Sequence, residues 1–345
     1  MDMRVSEISF ELLNEIGAEG LNSKTHLARD IQLDATLVIK EIEKASIPTD
    51  TDYFTEARHL YASRHPNVME IHYASQDHDN IYLAMPFHSK GSLNALINNK
   101  YLTIPEIVHY GLDFLSALHF IHSKGLIHFD VKPSNIIIND AGKALLTDFG
   151  LSRLTNRLGF AQAQMAYPTH LTPEWFQAGE FTAQYDVYQA GLTLYRMCNG
   201  NNEFDDKLQQ GGVAENEVVR GMFPNRNKFL PHIPDSLRKV IKKALKVNLD
   251  QRYKTIIHLM NDLAEVKENL NWTFRIDTVN NVHTWIEDTE NNTKTLNLFH
   301  ENGLWKTEGH KLTIASGNTT RIRDWFTTNQ TLDEAYSVIE QLINR

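Results

Sequence analysis

Cysteine is almost absent from this chain of 345 residues: Cys198 is the only one, so no internal disulfide can form, which fits a reducing compartment. Uninterrupted apolar runs long enough to span a bilayer are lacking, and the opening MDMRVSEISFELL carries acidic residues where a secretion signal needs a basic start and an apolar core. The expectation is a cytoplasmic protein with no membrane partner. Positive charge is also scarce. The 34 Lys and Arg against 43 Asp and Glu leave a formal net charge of -9, which disfavours nucleic acid as a partner. Internal repeats and low-complexity tracts are missing too, which argues against solenoids and arrays. What is present is 41% hydrophobic residues, enough for one large two-lobed unit and a smaller second one with a core of its own.

The apolar periodicity changes along the chain. From Phe10 to Glu43 it reads as strand, glycine-containing turn, strand, short turn, strand, with THLARD and ATLVIKEIE as the second and third strands of an antiparallel meander. Helix formers occupy 52–63, and MEIHYASQ and NIYLAMPF read as two further strands around the polar turn Asp77 to Asn80. After Gly91 the pattern turns helical: Ile107, Tyr110, Phe114, Leu118 and Ile121 recur at steps of three and four and form one buried face. This helical character runs to about Leu270.

Residues 271–345 alternate apolar and polar positions in WTFRI, TLNLF and HKLTI, between turns marked by NN, NG and SGN. A closing helix starts at a capping box of Thr331 and Glu334 and turns Leu332, Ala335, Ile339 and Leu342 inward. Four of the five tryptophans, Trp272, Trp285, Trp305 and Trp325, lie here, and as a small core they predict a folded α+β domain. The fold class is therefore α+β: a small lobe (about 10–87) of antiparallel strands with one helix, a large helical lobe (about 88–270), and a strand-rich unit at 271–345.

Two motifs carry the chemistry: HFDVKPSN at His128 to Asn135 and TDFG at Thr147 to Gly150. Either alone is a turn with a solvated carboxylate; together they supply what phosphoryl transfer from ATP needs. Asp130 can orient the attacking hydroxyl and accept its proton, while Asn135 and Asp148 offer hard oxygen ligands to Mg²⁺. In this order and separation, the motifs resemble those of eukaryotic-like (Hanks-type) serine/threonine protein kinases of bacteria, over roughly residues 10–270. The resemblance implies a bilobal kinase fold, ATP and Mg²⁺ as cofactors, and a protein substrate phosphorylated on serine or threonine.

It also implies individual roles. Lys132, two residues after the base, contacts the γ-phosphate. Lys40, at the end of LVIK, touches the ATP phosphates and is aimed by Glu56 on the following helix. The phosphate-covering loop from Ile16 to Ala28 offers Gly17 and Gly20, with Ser23 where a third glycine is usual and Thr25 where valine usually covers the adenine. Adenine sits between the lobes, with Met85 as gatekeeper and the backbone of Pro86 and His88 at the base edge. Glu174 of TPE pairs with Arg252, and Asp186 of DVYQAG braces the catalytic loop.

Departures from the family pattern carry expectations of their own. Phe129 replaces the arginine that receives a phosphorylated activation loop, so a non-RD enzyme is expected, active without phosphate on Ser152, Thr155 or Thr169. Tyr167 replaces a threonine that usually bonds Asp130 and Lys132. A competing reading, from a different class, is a pseudokinase-like interaction or regulatory module. A small-molecule kinase would share the carboxylates but not Lys132, HPN, TPE, Asp186 and Arg252. For residues 271–345 the readings are partner docking and intramolecular regulation.

Overall fold

The structure is a computed structural model in which residues 7–16, 23–46, 54, 58, 61, 64–163, 165–177 and 179–344 are described. Gly17, Gly20 and Glu56 lie outside the described residues, as does most of the helix expected at 52–63. Within that stretch the Arg58 N–H donates to Phe54 O at 2.9 Å.

Strands β1 (Phe10–Glu15), β2 (Ser23–Asp30), β3 (Ala35–Glu43), β4 (Tyr73–Gln76) and β5 (Asn80–Pro86) form an antiparallel sheet in the order β1-β2-β3-β5-β4. Period-two patterning sets the register: Ala28, Leu37, Ile39 and Ala84 are buried together, with Phe10, Tyr73 and Tyr82 packed against them. The β2–β3 turn is tied down by the buried Asp30, which accepts from the Leu33 N–H at 2.8 Å and the Tyr73 hydroxyl at 2.9 Å. Lys40 lies opposite Thr25 on β2 and Leu83 on β5, so neighbours on both sides fix its strand.

The HPN segment joins the lobes. Asn67 O accepts the Leu146 N–H at 2.8 Å, the Met69 N–H donates to Leu146 O at 2.8 Å, and Asn67 Nδ2 donates to Ala144 O at 3.1 Å. The stretch that leads into β4 of the small lobe is thereby clipped to the strand that leads into TDFG.

The helical lobe is built from α1 (Leu93–Asn99), α2 (Ile104–Ser123), α3 (Gln184–Asn199), α4 (Asn202–Gln209), α5 (Glu215–Val219), α6 (Asp235–Ala244) and α7 (Ile256–Ala264). Helix α2 begins at a reciprocal capping box between Thr103 and Glu106. Its predicted face is in place: Ile107, Phe114, Leu118 and Ile121 are buried and Tyr110 packs against them. Short strands follow: β6 (Leu126–Ile127), β7 (Ile136–Ile138), β8 (Ala144–Leu146) and β9 (Arg153–Leu154), paired β6 with β9 and β7 with β8. The catalytic motifs occupy the loops between them.

At the C-terminal end, β10 (Trp272–Asp277), β11 (Val282–Asp288), β12 (Asn292–Glu301), β13 (Leu304–Thr313) and β14 (Asn318–Arg321) run antiparallel in sequence order, and β15 (Thr327–Asn329) also pairs with β13. The closing helix α8 (Leu332–Ile343) starts at the predicted Thr331–Glu334 box and buries Ala335, Ile339 and Leu342. Gly309 is required where Trp325 crosses β13, because a Cβ there would lie 2.3 Å from Trp325 Cβ.

The apolar interior of this unit is continuous with that of the helical lobe. Its buried Trp272, Phe274, Trp285, Leu296 and Ile339 belong to the same apolar cluster as α2, α3, α6 and α7. Phe274 stacks on Trp285 at 4.6 Å and meets Tyr101, beside α2, at 4.7 Å. The Trp285 indole donates to His232 Nδ1 at 3.3 Å, and Arg238 of α6 pairs with Glu340 of α8. A sheet covered by a single helix leaves apolar surface bare, and the helical lobe supplies the cover.

Candidate active site

The loop from His128 to Asn135 is held from below by α3. Asp186, fully buried, accepts the His128 N–H at 2.8 Å on one carboxylate oxygen and the Phe129 N–H at 2.9 Å on the other. His122 Nε2 lies 2.7 Å from the first of these oxygens. One helical turn on, Gln189 Oε1 accepts the Val131 N–H at 3.0 Å, while its Nε2 donates to Phe129 O at 3.0 Å and His170 O at 3.1 Å. Gln189 thus stitches the catalytic loop to the activation segment. Sequence reading assigned it no role, although its i,i+3 spacing from Asp186 places both on one helix face.

His128 is the inner pivot. Its Nδ1 accepts the Asp130 N–H at 3.2 Å, which places the ring proton on Nε2, 3.1 Å from the Thr147 carbonyl it donates to. Burial pushes its pKa below the ordinary histidine value, in keeping with that neutral tautomer. The buried Phe149 stands edge-on to the His128 ring, with centroids 4.9 Å apart.

Around this pivot three side chains meet. Asn135 Nδ2 donates to Asp130 O at 2.9 Å and to Asp130 Oδ2 at 2.8 Å, and Lys132 Nζ lies 3.0 Å from the same Oδ2. Asp130 Oδ1 is buried and accepts no hydrogen bond among the described residues. A buried carboxylate oxygen left this way is costly, and a hydroxyl donor placed there would satisfy it. The Thr147 N–H donates to Asn135 O at 3.0 Å, so the loops bearing Asn135 and Asp148 lie side by side.

Asp148 adopts a left-handed φ of 63°, which turns its carboxylate toward the small lobe. Lys40 Nζ reaches its Oδ1 at 2.7 Å. Burial works to raise the Asp148 pKa, but the charge and hydrogen bond of Lys40, with help from Lys132, outweigh it and hold the carboxyl well below its usual range. The carboxylate stays ionised at any physiological pH.

Ile16, whose N–H donates to Thr25 O at 2.7 Å, and Ser23 stand on either side of the stretch expected to cover the phosphates. Between the lobes, Met85 is buried against Val38, Met69, Ile137 and Leu145, a packing role compatible with lining a pocket. Pro86 ends β5, and the His88 carbonyl accepts the Gly91 N–H at 3.2 Å.

The activation segment ends in a buried bidentate pair, Arg252 Nη1 to Glu174 Oε1 at 2.7 Å and Nη2 to Oε2 at 3.0 Å. Arg252 also donates to the carbonyls of Gln184 at 2.8 Å and Lys246 at 2.9 Å, so the desolvated guanidinium is well satisfied. Phe129, in left-handed conformation with φ 68°, points into an apolar cluster of Ile127, Ala161, Phe181 and Tyr185. Tyr167 lays its ring 3.9 Å from Lys132 Nζ.

Residues 10–263 match the protein kinase domain family. Serine/threonine-protein kinase PrkC of Bacillus subtilis (strain 168) is 25% identical over 322 residues, covering 90% of this chain and 48% of its own length. Serine/threonine-protein kinase PknB of Mycobacterium leprae (strain TN) is 28% identical over 271 residues, covering 74% of this chain and 43% of its own. CBL-interacting serine/threonine-protein kinase 7 of Arabidopsis thaliana is 32% identical over 211 residues, covering 57% of this chain and 48% of its own. The chain thus spans less than half the length of these curated relatives. Among the described residues no helix is long and apolar enough to cross a membrane. With the match extending from the first strand through the last helix of the large lobe, the chain belongs to the protein kinase family.

Proposed function

We propose that this chain is a protein kinase that transfers the γ-phosphate of ATP to serine or threonine hydroxyls of a protein substrate, of the non-RD type. The observation that carries the reading is the buried Asp130 carboxylate, fixed on one oxygen by Asn135 and Lys132 and unengaged on the other. That oxygen is the acceptor for the proton of an incoming hydroxyl. Lys132 and Lys40 supply positive charge on either side of a transferring phosphoryl group.

Asn135 and Asp148 are the residues that would hold Mg²⁺. Asn135 spends its amide nitrogen on Asp130, which leaves its carbonyl oxygen as a hard ligand, and Asp148 is ionised. When bound, the ion neutralises charge between the phosphates. Lys40 bonds Asp148 directly, and its alignment by Glu56 is part of this proposal. So are the contacts of Gly17, Gly20, Met85, Pro86 and His88 with nucleotide.

Phe129 supports the non-RD assignment, because an apolar ring buried among aromatics offers nothing to a phosphate. The test is incorporation of label from γ-labelled ATP into the chain itself and into casein, with phosphoamino-acid analysis of the product. Asp130→Asn should lower incorporation about 100-fold or more, and chelation of Mg²⁺ should abolish it. Equal labelling of wild type and Asp130→Asn would overturn the proposal in favour of an interaction module.

A further inference from the structure

The threonine usual near the end of the activation segment is replaced here by Tyr167, and the structure shows what the ring does. Lys132 Nζ lies 3.9 Å from the ring centroid and 3.0 Å from Asp130 Oδ2, on a side chain that is 7% exposed. An ammonium removed from water to that degree needs partners; the carboxylate is one and the π face of the ring is another.

The ring is held in place from behind. The Tyr167 carbonyl accepts the His170 N–H at 2.9 Å, and the fully buried His170 ring packs edge-on against Tyr167, with centroids 5.9 Å apart. The next residue, Pro168, is clamped by the loop after α4: its carbonyl accepts the Val213 N–H at 3.1 Å, and Gly212, at φ 114°, approaches so closely that a Cβ there would lie 2.9 Å from Pro168 Cβ. The loop was built to bring this stretch of backbone close, and the aromatic ring follows from it.

We propose that Tyr167 is a positioning residue for phosphoryl transfer: its ring face holds the Lys132 ammonium beside Asp130, a task that elsewhere falls to a small hydroxylic side chain. The proposal rests on the kinase reading above. It assigns the work to the ring and not to the phenolic hydroxyl, and it places the effect in turnover, since Lys132 would meet the transferring phosphoryl group and not the body of the protein substrate.

The experiment combines kinetics with a measurement that needs no activity. Tyr167→Phe should retain wild-type turnover within about twofold, whereas Tyr167→Leu and Tyr167→Met should lower kcat roughly tenfold with little change in KM for the peptide. In a Lys132→Ala background, Tyr167→Leu should have no further effect, because the residue acts through the lysine. In parallel, competitive acetylation of Lys132 by acetic anhydride in the ligand-free full chain, read by peptide mass spectrometry, should be several-fold faster in the Leu and Met variants than in wild type and Phe. Equal turnover in Leu and wild type, equal damage in Phe and Leu, or additive losses in the Lys132→Ala background would each overturn the proposal. Absence of transfer in wild type itself would sink the kinase reading instead, and the hold on Lys132 would then be decided by the acetylation rates alone.

Discussion

Phe129 meets Tyr185 edge to face with ring centroids 5.0 Å apart, and both side chains are fully buried. The residue before Asp130 is thereby anchored to the start of α3 and, through Phe181, to the close of the activation segment. Packing fixes the relation of loop to segment here, and it is insensitive to modification. Ser152 and Thr169 are themselves buried, at 1% and 3% exposure, so neither can be reached by a modifying enzyme without local unfolding.

Two outcomes are expected from this anchor. Protein treated with a phosphatase should keep full transfer activity in the labelled-ATP assay; strict dependence on a phosphorylated Ser152, Thr155 or Thr169 would refute it. Phe129→Ala should lower the unfolding free energy by about 3–5 kcal/mol in urea titration, the range for emptying a well-packed aromatic site.

The Glu174–Arg252 pair gives a second expectation. Removing either partner strands a buried charge, so Glu174→Gln and Arg252→Met should each cost about 3–5 kcal/mol. Arg252→Lys should not rescue, because an ammonium cannot match two carboxylate oxygens and two carbonyls at once. Thermal melts of the three variants decide the matter, and a stable Lys variant would show that charge alone suffices.

Acid stability follows from two histidines. Burial pushes His232 down to about 3 and His170 well below its ordinary value. A histidine whose folded pKa is depressed is neutral in the fold and protonated in the unfolded chain over that window, so the unfolded state binds more protons and stability falls as pH falls through about 6.5. His232 contributes a slope of roughly 1.4 kcal/mol per pH unit between pH about 6 and 4.5, and His170 acts in the same direction. Urea denaturation across that range should become shallower in His232→Asn; an unchanged slope would show that His232 titrates alike in both states.

The C-terminal sheet should prove inseparable from the helical lobe. A chain ending at Leu270 loses Trp272, Phe274 and Trp285, which cover α6 and the start of α2 in one shared cluster. It should melt at lower temperature than the full chain and bind an environment-sensitive hydrophobic dye. An equally stable truncated form would instead point to a separable docking or regulatory unit. A smaller probe of the same unit is Gly309→Ala, expected to cost about 1–3 kcal/mol by driving a methyl into Trp325.

Much of this architecture is written locally. The Thr331–Glu334 box is a matter of three residues' spacing, the face of α2 a matter of period, and the strands of the small lobe with β10, β12 and β13 a matter of alternation, so these were legible in the sequence, whereas β11, β14 and β15 were not singled out. The residues of HFDVKPSN and TDFG were legible for another reason: their chemistry needs those side chains in that order. The tertiary structure alone decided which distant groups meet. Lys40 and Asp148 are 108 positions apart and Trp285 and His232 are 53 apart. Gln189 became a strut only because α3 crosses beneath the catalytic loop. The apolar alternation of residues 272–313 likewise named the buried side of the sheet but not the helices that bury it. Periodicity and spacing encode interactions within a few residues of one another, whereas partners brought together by chain folding depend on how whole elements cross, and no local pattern carries that information.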